Sequence, residues 1–249
     1  MEVLLQLQGQ EALVPHNERT QDPLDPFTQA IAAISGKRKK TEADYWDLAK
    51  LEFEAGLYTD PPIEAPGTAN GNSPGIPAMN IFRCLQDGAT RMRRGKDVPR
   101  GIRPAKSFAE LVYDGPRDIE GMWSEYQEFS IRKGVVVSGR RVTRTRPLFK
   151  QWAAFLPIVV DPTIWNVPDL ALAWKNAGQY AGLGDMRPIY GQFEGTLTSD
   201  WDSLKVSFPA PEQGFEAAIA FIREYAQGYN DRHNGKPKKV IPTSKVRRS

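Results

Sequence analysis

Gly75-Ile-Pro-Ala-Met-Asn-Ile-Phe-Arg83 reads as the opening of a helix, and Ala181-Gly-Leu-Gly-Asp-Met-Arg-Pro-Ile-Tyr-Gly-Gln-Phe193 as a glycine loop running into a strand. Pro77 suits the first turn of the helix. Ile81, Leu85, Gly88/Ala89 and Met92 then recur at helical spacing and give it one apolar face. Arg83, Arg91 and Arg94 project from this helix or its end. Before the glycine loop, Asn166 is a helix cap with Pro168 in the first turn. Leu170, Ala173/Trp174, Ala177 and Tyr180/Ala181 form its apolar stripe, and Gly182 suits the residue just past its end.

Strands flank both helices. Val3, Leu5 and Leu7 alternate with polar residues and predict a first strand. Phe108–Tyr113, Trp152–Val160 and Tyr190–Leu197 predict three more, and Pro157 points to an edge or a bulge in the third. Between the first strand and the first of the two helices lies an insertion over about residues 15–76. It holds a short helix from Pro26 to Ile34, then the run Lys37-Arg-Lys-Lys40. Thr41 follows as a cap, with Asp44 at capping-box spacing, and a helix runs to about Gly56 in which Leu51–Phe53 also suit a strand. Residues 59–76, rich in Pro, Gly, Asn and Ser, read as a flexible loop. Phe215, Ala218, Ile219, Ile222 and Tyr225 predict an amphipathic C-terminal helix. The order is β-α-β-β-α-β, so the expected class is α+β: a ferredoxin-like or RRM-like core with a helical insertion and a C-terminal helix. One domain is expected over 1–230, with a basic, disordered tail over 231–249.

The 249 residues are 40% hydrophobic and 25% charged, an ordinary globular composition with a net charge of only +3. The charge is uneven, however: 21 of the 33 basic residues fall in three blocks. Residues 91–106 carry Arg91, Arg93, Arg94, Lys96, Arg100, Arg103 and Lys106 against the single acid Asp97. Residues 130–150 carry Arg132, Lys133, Arg140, Arg141, Arg144, Arg146 and Lys150 with no acid, and 232–248 hold seven more. Clustered positive charge is the footprint of a polyanion partner. Over 134–146 the pattern reads as strand. Val135, Val137, Thr143 and Thr145 fall on one face and Arg140, Arg144 and Arg146 on the other. A buried face cannot hold three unpaired guanidiniums, so this one is expected to face solvent or a charged ligand. No leader peptide and no membrane span are read. Cys84 is the only cysteine and is expected to pack rather than react, which suits a reducing, cytoplasmic setting.

These residues resemble a known family. The RAMP superfamily of CRISPR-associated proteins contains backbone-forming subunits of effector complexes and guide-RNA processing enzymes with ferredoxin-like folds. The resemblance rests on three features: the insertion after the first strand with Leu13-Val-Pro-His16, the segment Gly75–Arg83, and the loop Gly182–Phe193. The chain also resembles small single-gene proteins of tailed phages, so a phage-encoded relative is expected. The resemblance implies that the glycine loop contacts RNA or packs beside it, and that several copies align along one strand.

The loop also has a physical rationale. Gly182, Gly184 and Gly191 permit positive φ and close backbone approach, their amides suit phosphate, and Arg187 suits a bidentate phosphate contact. Tyr190 and Phe193 suit either base stacking or the core. Trp46, Trp123, Trp152, Trp165, Trp174 and Trp201 are expected mainly in packing.

The expected function is single-stranded RNA or DNA binding without catalysis. Arg83, Arg91, Arg93, Arg94, Lys96, Arg140, Arg144, Arg146, Gly184, Arg187, Tyr190 and Gly191 would make the contacts, and the chain would form a homo-oligomer on the strand. No cofactor, metal, catalytic residue or membrane partner is expected. A nuclease of the same fold is the alternative, with His16 or Asp25 as the residue to watch. His233 sits in the tail, and Asp114, Asp118 and Glu120 form a carboxylate cluster that also fits turn and cap roles. A phage assembly or host-interaction protein is the third reading.

Overall fold

The structure, a computed structural model, describes residues 1–198 apart from 70, 117 and 138. The strands are β1 (Glu2–Gly9), β2 (Thr59–Asp60), β3 (Ser73–Pro77), β4 (Ile102–Pro104), β5 (Phe108–Val112), β6 (Ser130–Val137), β7 (Arg140–Pro147), β8 (Ala153–Val160) and β9 (Phe193–Thr198). The helices are α1 (Pro26–Ser35), α2 (Glu42–Gly56), α3 (Ala78–Thr90), α4 (Val98–Gly101), α5 (Ile119–Ser124), α6 (Tyr126–Phe129) and α7 (Val167–Asn176). The chain is α+β, with an antiparallel sheet ordered β2-β3-β5-β8-β1-β9; β4 pairs beside the far end of β8. The hairpin β6–β7 forms a second, two-stranded sheet. Among the described residues no helix is long and apolar enough to cross a membrane. The expected C-terminal helix, Trp201, His233 and the basic tail lie outside the described residues.

β1 lies in the interior of the sheet, with Leu5 opposite Leu156 of β8 and Leu197 of β9. One face of the sheet carries Val3, Leu5, Leu7, Leu156 and Ile158 into the core that α3 and α7 complete. Ile81, Cys84, Leu85, Gly88 and Ala89 of α3 recur at i, i+3 and i+4, so they fall on one buried stripe. The two helices touch at Gly88, where a Cβ would lie 2.4 Å from the Ala173 carbonyl oxygen. Trp152, Trp165 and Trp174 are fully buried, and each indole N–H donates to a backbone carbonyl: those of Glu11, Asp97 and Gln6.

Local signals are reproduced closely. The Thr41 and Asp44 side chains form the reciprocal capping box of α2, and Lys37 pairs with Asp44, which together hold that carboxyl down at about 2. The Asn166 side chain accepts from the Asp169 amide and caps α7. Leu51–Phe53 are helical.

Features set by pairing differ from expectation. Ser73–Pro77 form strand β3 rather than part of a loop, so the helix begins only at Ala78. Pro157 lies in the interior strand β8, not at an edge. Its carbonyl accepts from the Ala105 amide, at the break between β4 and β5, so its missing N–H faces a gap in the neighbouring strand. The region 134–146 is a hairpin rather than a single strand. Pairing sets Val135 opposite Val142, Lys133 opposite Arg144 and Ile131 opposite Arg146. Val135 therefore shares the face of Arg144 and Arg146, while Thr143 and Thr145 lie on the other, because the turn inverts the alternation read along the chain. The last strand starts at Phe193, not Tyr190.

Candidate functional site

α3 and the glycine loop, far apart in sequence, meet in space. The thiol of Cys84 donates to the carbonyls of Gly182, at 3.3 Å, and of Ala177. Burial pushes this thiol up to about 12, so it packs rather than reacts. Between Gly182 and Phe193 the backbone takes positive φ at Gly182, Gly184, Met186 and Gly191. The loop is pinned to the segment leaving β1: the Asp185 amide donates to Val14 and the Gly191 amide to Ala12, while the Leu183 amide donates to Gly191 within the loop. A Cβ on Gly184 would sit 2.5 Å from the Val14 carbonyl. The expectation that these glycine amides face phosphate is thereby narrowed. Gly182 and Gly191 use their amides to close and dock the loop, and of the three only the Gly184 amide has no partner among the described residues.

The junction forms an open cleft of about 670 Å³. α3 supplies Asp87 and its C-cap Arg91, the turn after α7 supplies Tyr180 and Ala181, and the loop supplies Gly184 to Pro188. The Arg91 guanidinium lies over the Tyr180 ring, 3.8 Å from its centroid. Helical spacing places Tyr180 in the apolar stripe of the helix before the loop. It is 52% exposed because Ala177–Ala181 form a π turn, whose extra residue per turn rotates the stripe out of register. Phe193, by contrast, is wholly buried and packs against Trp152 and Trp174, so it serves the core rather than a base. Tyr190 is half-buried at the end of the loop.

The arginines divide into two groups. Arg94 faces inward: it pairs with Asp97 at 3.0 Å and Asp169 at 2.7 Å, and its guanidinium lies over Trp165. Arg144 pairs with Glu52, a nearly buried residue of α2 whose other oxygen accepts from the Thr145 amide. Arg146, only 13% exposed, lies 3.5 Å from Asp185 of the glycine loop. Arg140, which is placed in neither group, opens β7 opposite Val137. The second group is exposed. Arg83 pairs with Asp87, one helical turn on, and donates to the Gln86 side chain. Arg91, Arg93, Lys96, Arg100, Arg103 and Lys106 make no ion pair among the described residues and follow one another from the end of α3 past β4. Arg187 at the cleft is likewise exposed and unpaired among the described residues. Arg93 holds φ of 61°, a left-handed conformation that costs a non-glycine residue roughly 1–2 kcal/mol.

The candidate catalytic residues have structural partners. Asp25 caps α1 through the Phe27 amide and pairs with Arg19. Asp118 caps α5 through the Gly121 amide, and Glu120 pairs with Lys50. Among the described residues, no three His, Cys, Asp or Glu side chains converge as a metal site.

His16 sits close to Arg146 and Asp185, and its Nδ1 is buried with no hydrogen-bond partner among the described residues. Burial first, and then Arg146, lower its pKa against the opposing pull of Asp185. A lowered folded-state value means that, as pH falls below the ordinary 6.5, the unfolded chain takes up this proton first. The His16 contribution to stability is therefore complete above that pH and is lost below it. Thermal melts from pH 7.5 to 5.5 should show a smaller loss in His16→Gln than in the unchanged protein. Equal losses would remove His16 from the account.

Compared with known proteins, the sequence matches no family model and no curated protein.

Proposed function

We propose that the protein binds single-stranded nucleic acid, RNA or DNA, chiefly through the sugar-phosphate backbone. The observation that carries this reading is the succession along the chain of exposed cations Arg91, Arg93, Lys96, Arg100, Arg103 and Lys106, without ion pairs among the described residues, which starts at the cleft where Arg187 stands. Unpaired surface cations in series attract a polyanion by counterion release and carry little sequence information. The Arg91–Tyr180 stack beside them suits an unpaired base, which a duplex does not offer. The core is read as ferredoxin-like: β1, α3, β4–β5, β8, α7 and β9 follow in β-α-β-β-α-β order around an antiparallel sheet. The relation to the RAMP superfamily and the alignment of several copies along a strand belong to the same proposal. Hydrogen–deuterium exchange with and without a single-stranded 20-mer tests it. Protection is expected in 78–106 and 181–192. Protection confined to other segments, or none, would overturn the placement.

A further inference from the structure

The cleft holds a feature that backbone binding does not require. Asp87 lies on its wall, on the same face of α3 as Arg91 and one turn before it. A carboxylate repels phosphate, so a surface built for phosphate alone would be better without it. The other acid at the cleft, Asp185, is committed: its Oδ1 accepts from the Met186 amide and its Oδ2 faces Arg146. Asp87 is not. Its Oδ1 lies 3.3 Å from Arg83, a pair exposed enough to exchange readily, and its Oδ2 has no partner among the described residues.

Resting on the nucleic-acid reading above, we infer that this cleft is a base-selective subsite that takes one unpaired guanine. The base stacks on the Arg91–Tyr180 pair, Arg187 meets a flanking phosphate, and Asp87 accepts from the base edge. Guanine presents two adjacent donors there, N1–H and the N2 amine, which match the two carboxylate oxygens. Uracil offers one N–H beside two carbonyls that the carboxylate repels. Adenine and cytosine each offer a single amine donor beside an acceptor nitrogen. The cleft, at about 670 Å³, is in the size range of small-ligand sites and open enough for a base still attached to its strand.

The test uses fluorescence anisotropy with the full chain and three octamers, in RNA and in DNA form: oligouridine, the same with one central guanine, and the same with inosine, which lacks the N2 amine. The guanine octamer is expected to bind about tenfold tighter than oligouridine, with inosine between them. In Asp87→Asn the guanine-to-uridine ratio should fall to about twofold or less. Equal binding of the three octamers by the unchanged protein, or an undiminished ratio in Asp87→Asn, overturns this inference and leaves the backbone reading standing. Loss of all octamers alike in Asp87→Asn also overturns it, since Asp87 would then be a structural residue. No binding of any octamer at low salt overturns both.

Discussion

Arg91→Glu, Arg103→Glu and Arg187→Glu together are expected to weaken binding of a single-stranded 20-mer by on the order of a hundredfold at 50 mM salt. The melting temperature should stay within about 2 °C, because surface charges outside ion pairs contribute little to stability. All three residues are exposed, and none has a carboxylate partner among the described residues; Arg91 loses only its contact with the Tyr180 ring. The basic strand face invites a different experiment, reversal of Arg144 and Arg146, which the structure shows to be ambiguous. Glutamates there would confront Glu52 and Asp185, so a loss of binding would report damage to the fold. Anisotropy and thermal melts on the same samples separate the two effects. Binding by the triple variant within about threefold of the unchanged protein would show that this row does not hold the ligand.

The second large effect is on the glycine loop. Gly191 has φ of 72°, and a Cβ built on it would lie 1.8 Å from the Leu183 carbonyl oxygen. Gly191→Ala therefore adds a steric clash with backbone to the cost of a left-handed residue. It is expected to lower stability by about 3 kcal/mol or more, which for a chain of this size is a fall in Tm of roughly 6–12 °C. Because the loop carries Arg187 and Asp185, affinity for single strands should fall too. Gly139→Ala is the control. Its φ is 76°, but nothing lies within 4 Å of the added carbon, so only the left-handed cost of about 1 kcal/mol applies. Equal melting temperatures for the two variants would mean that the loop is not held as described.

What was legible in the sequence was local. The caps at Thr41 and Asn166 and the buried stripe of α3 depend on residues three or four apart, and they stand where the pattern places them. The strand β3, the position of Pro157 and the two faces of the β6–β7 hairpin depend on which strand lies alongside, and a single strand's alternation does not carry that information. The candidate site divides in the same way. The glycines mark the loop that α3 meets, and the charge blocks hold exposed and ion-paired arginines alike. Yet Arg91 and Arg144 look alike in sequence. What separates them is Glu52, 92 residues before Arg144, just as Asp169, 75 residues after Arg94, turns Arg94 inward. Tyr180 reads as core in the sequence because the alternation does not show the π turn that displaces it, and Asp87 is set apart only by the cleft it lines.

The central claim is tested most directly by titrating the unchanged protein into fluorescent single-stranded 20-mers at salt concentrations from 50 to 200 mM, with duplex DNA alongside. Four to six phosphate contacts predict a slope of roughly −3 to −4 in log K against log salt, a loss of about 60- to 250-fold across that range, with single strands preferred over duplex. No single-strand binding at 50 mM salt, or binding that ignores salt, would contradict the account.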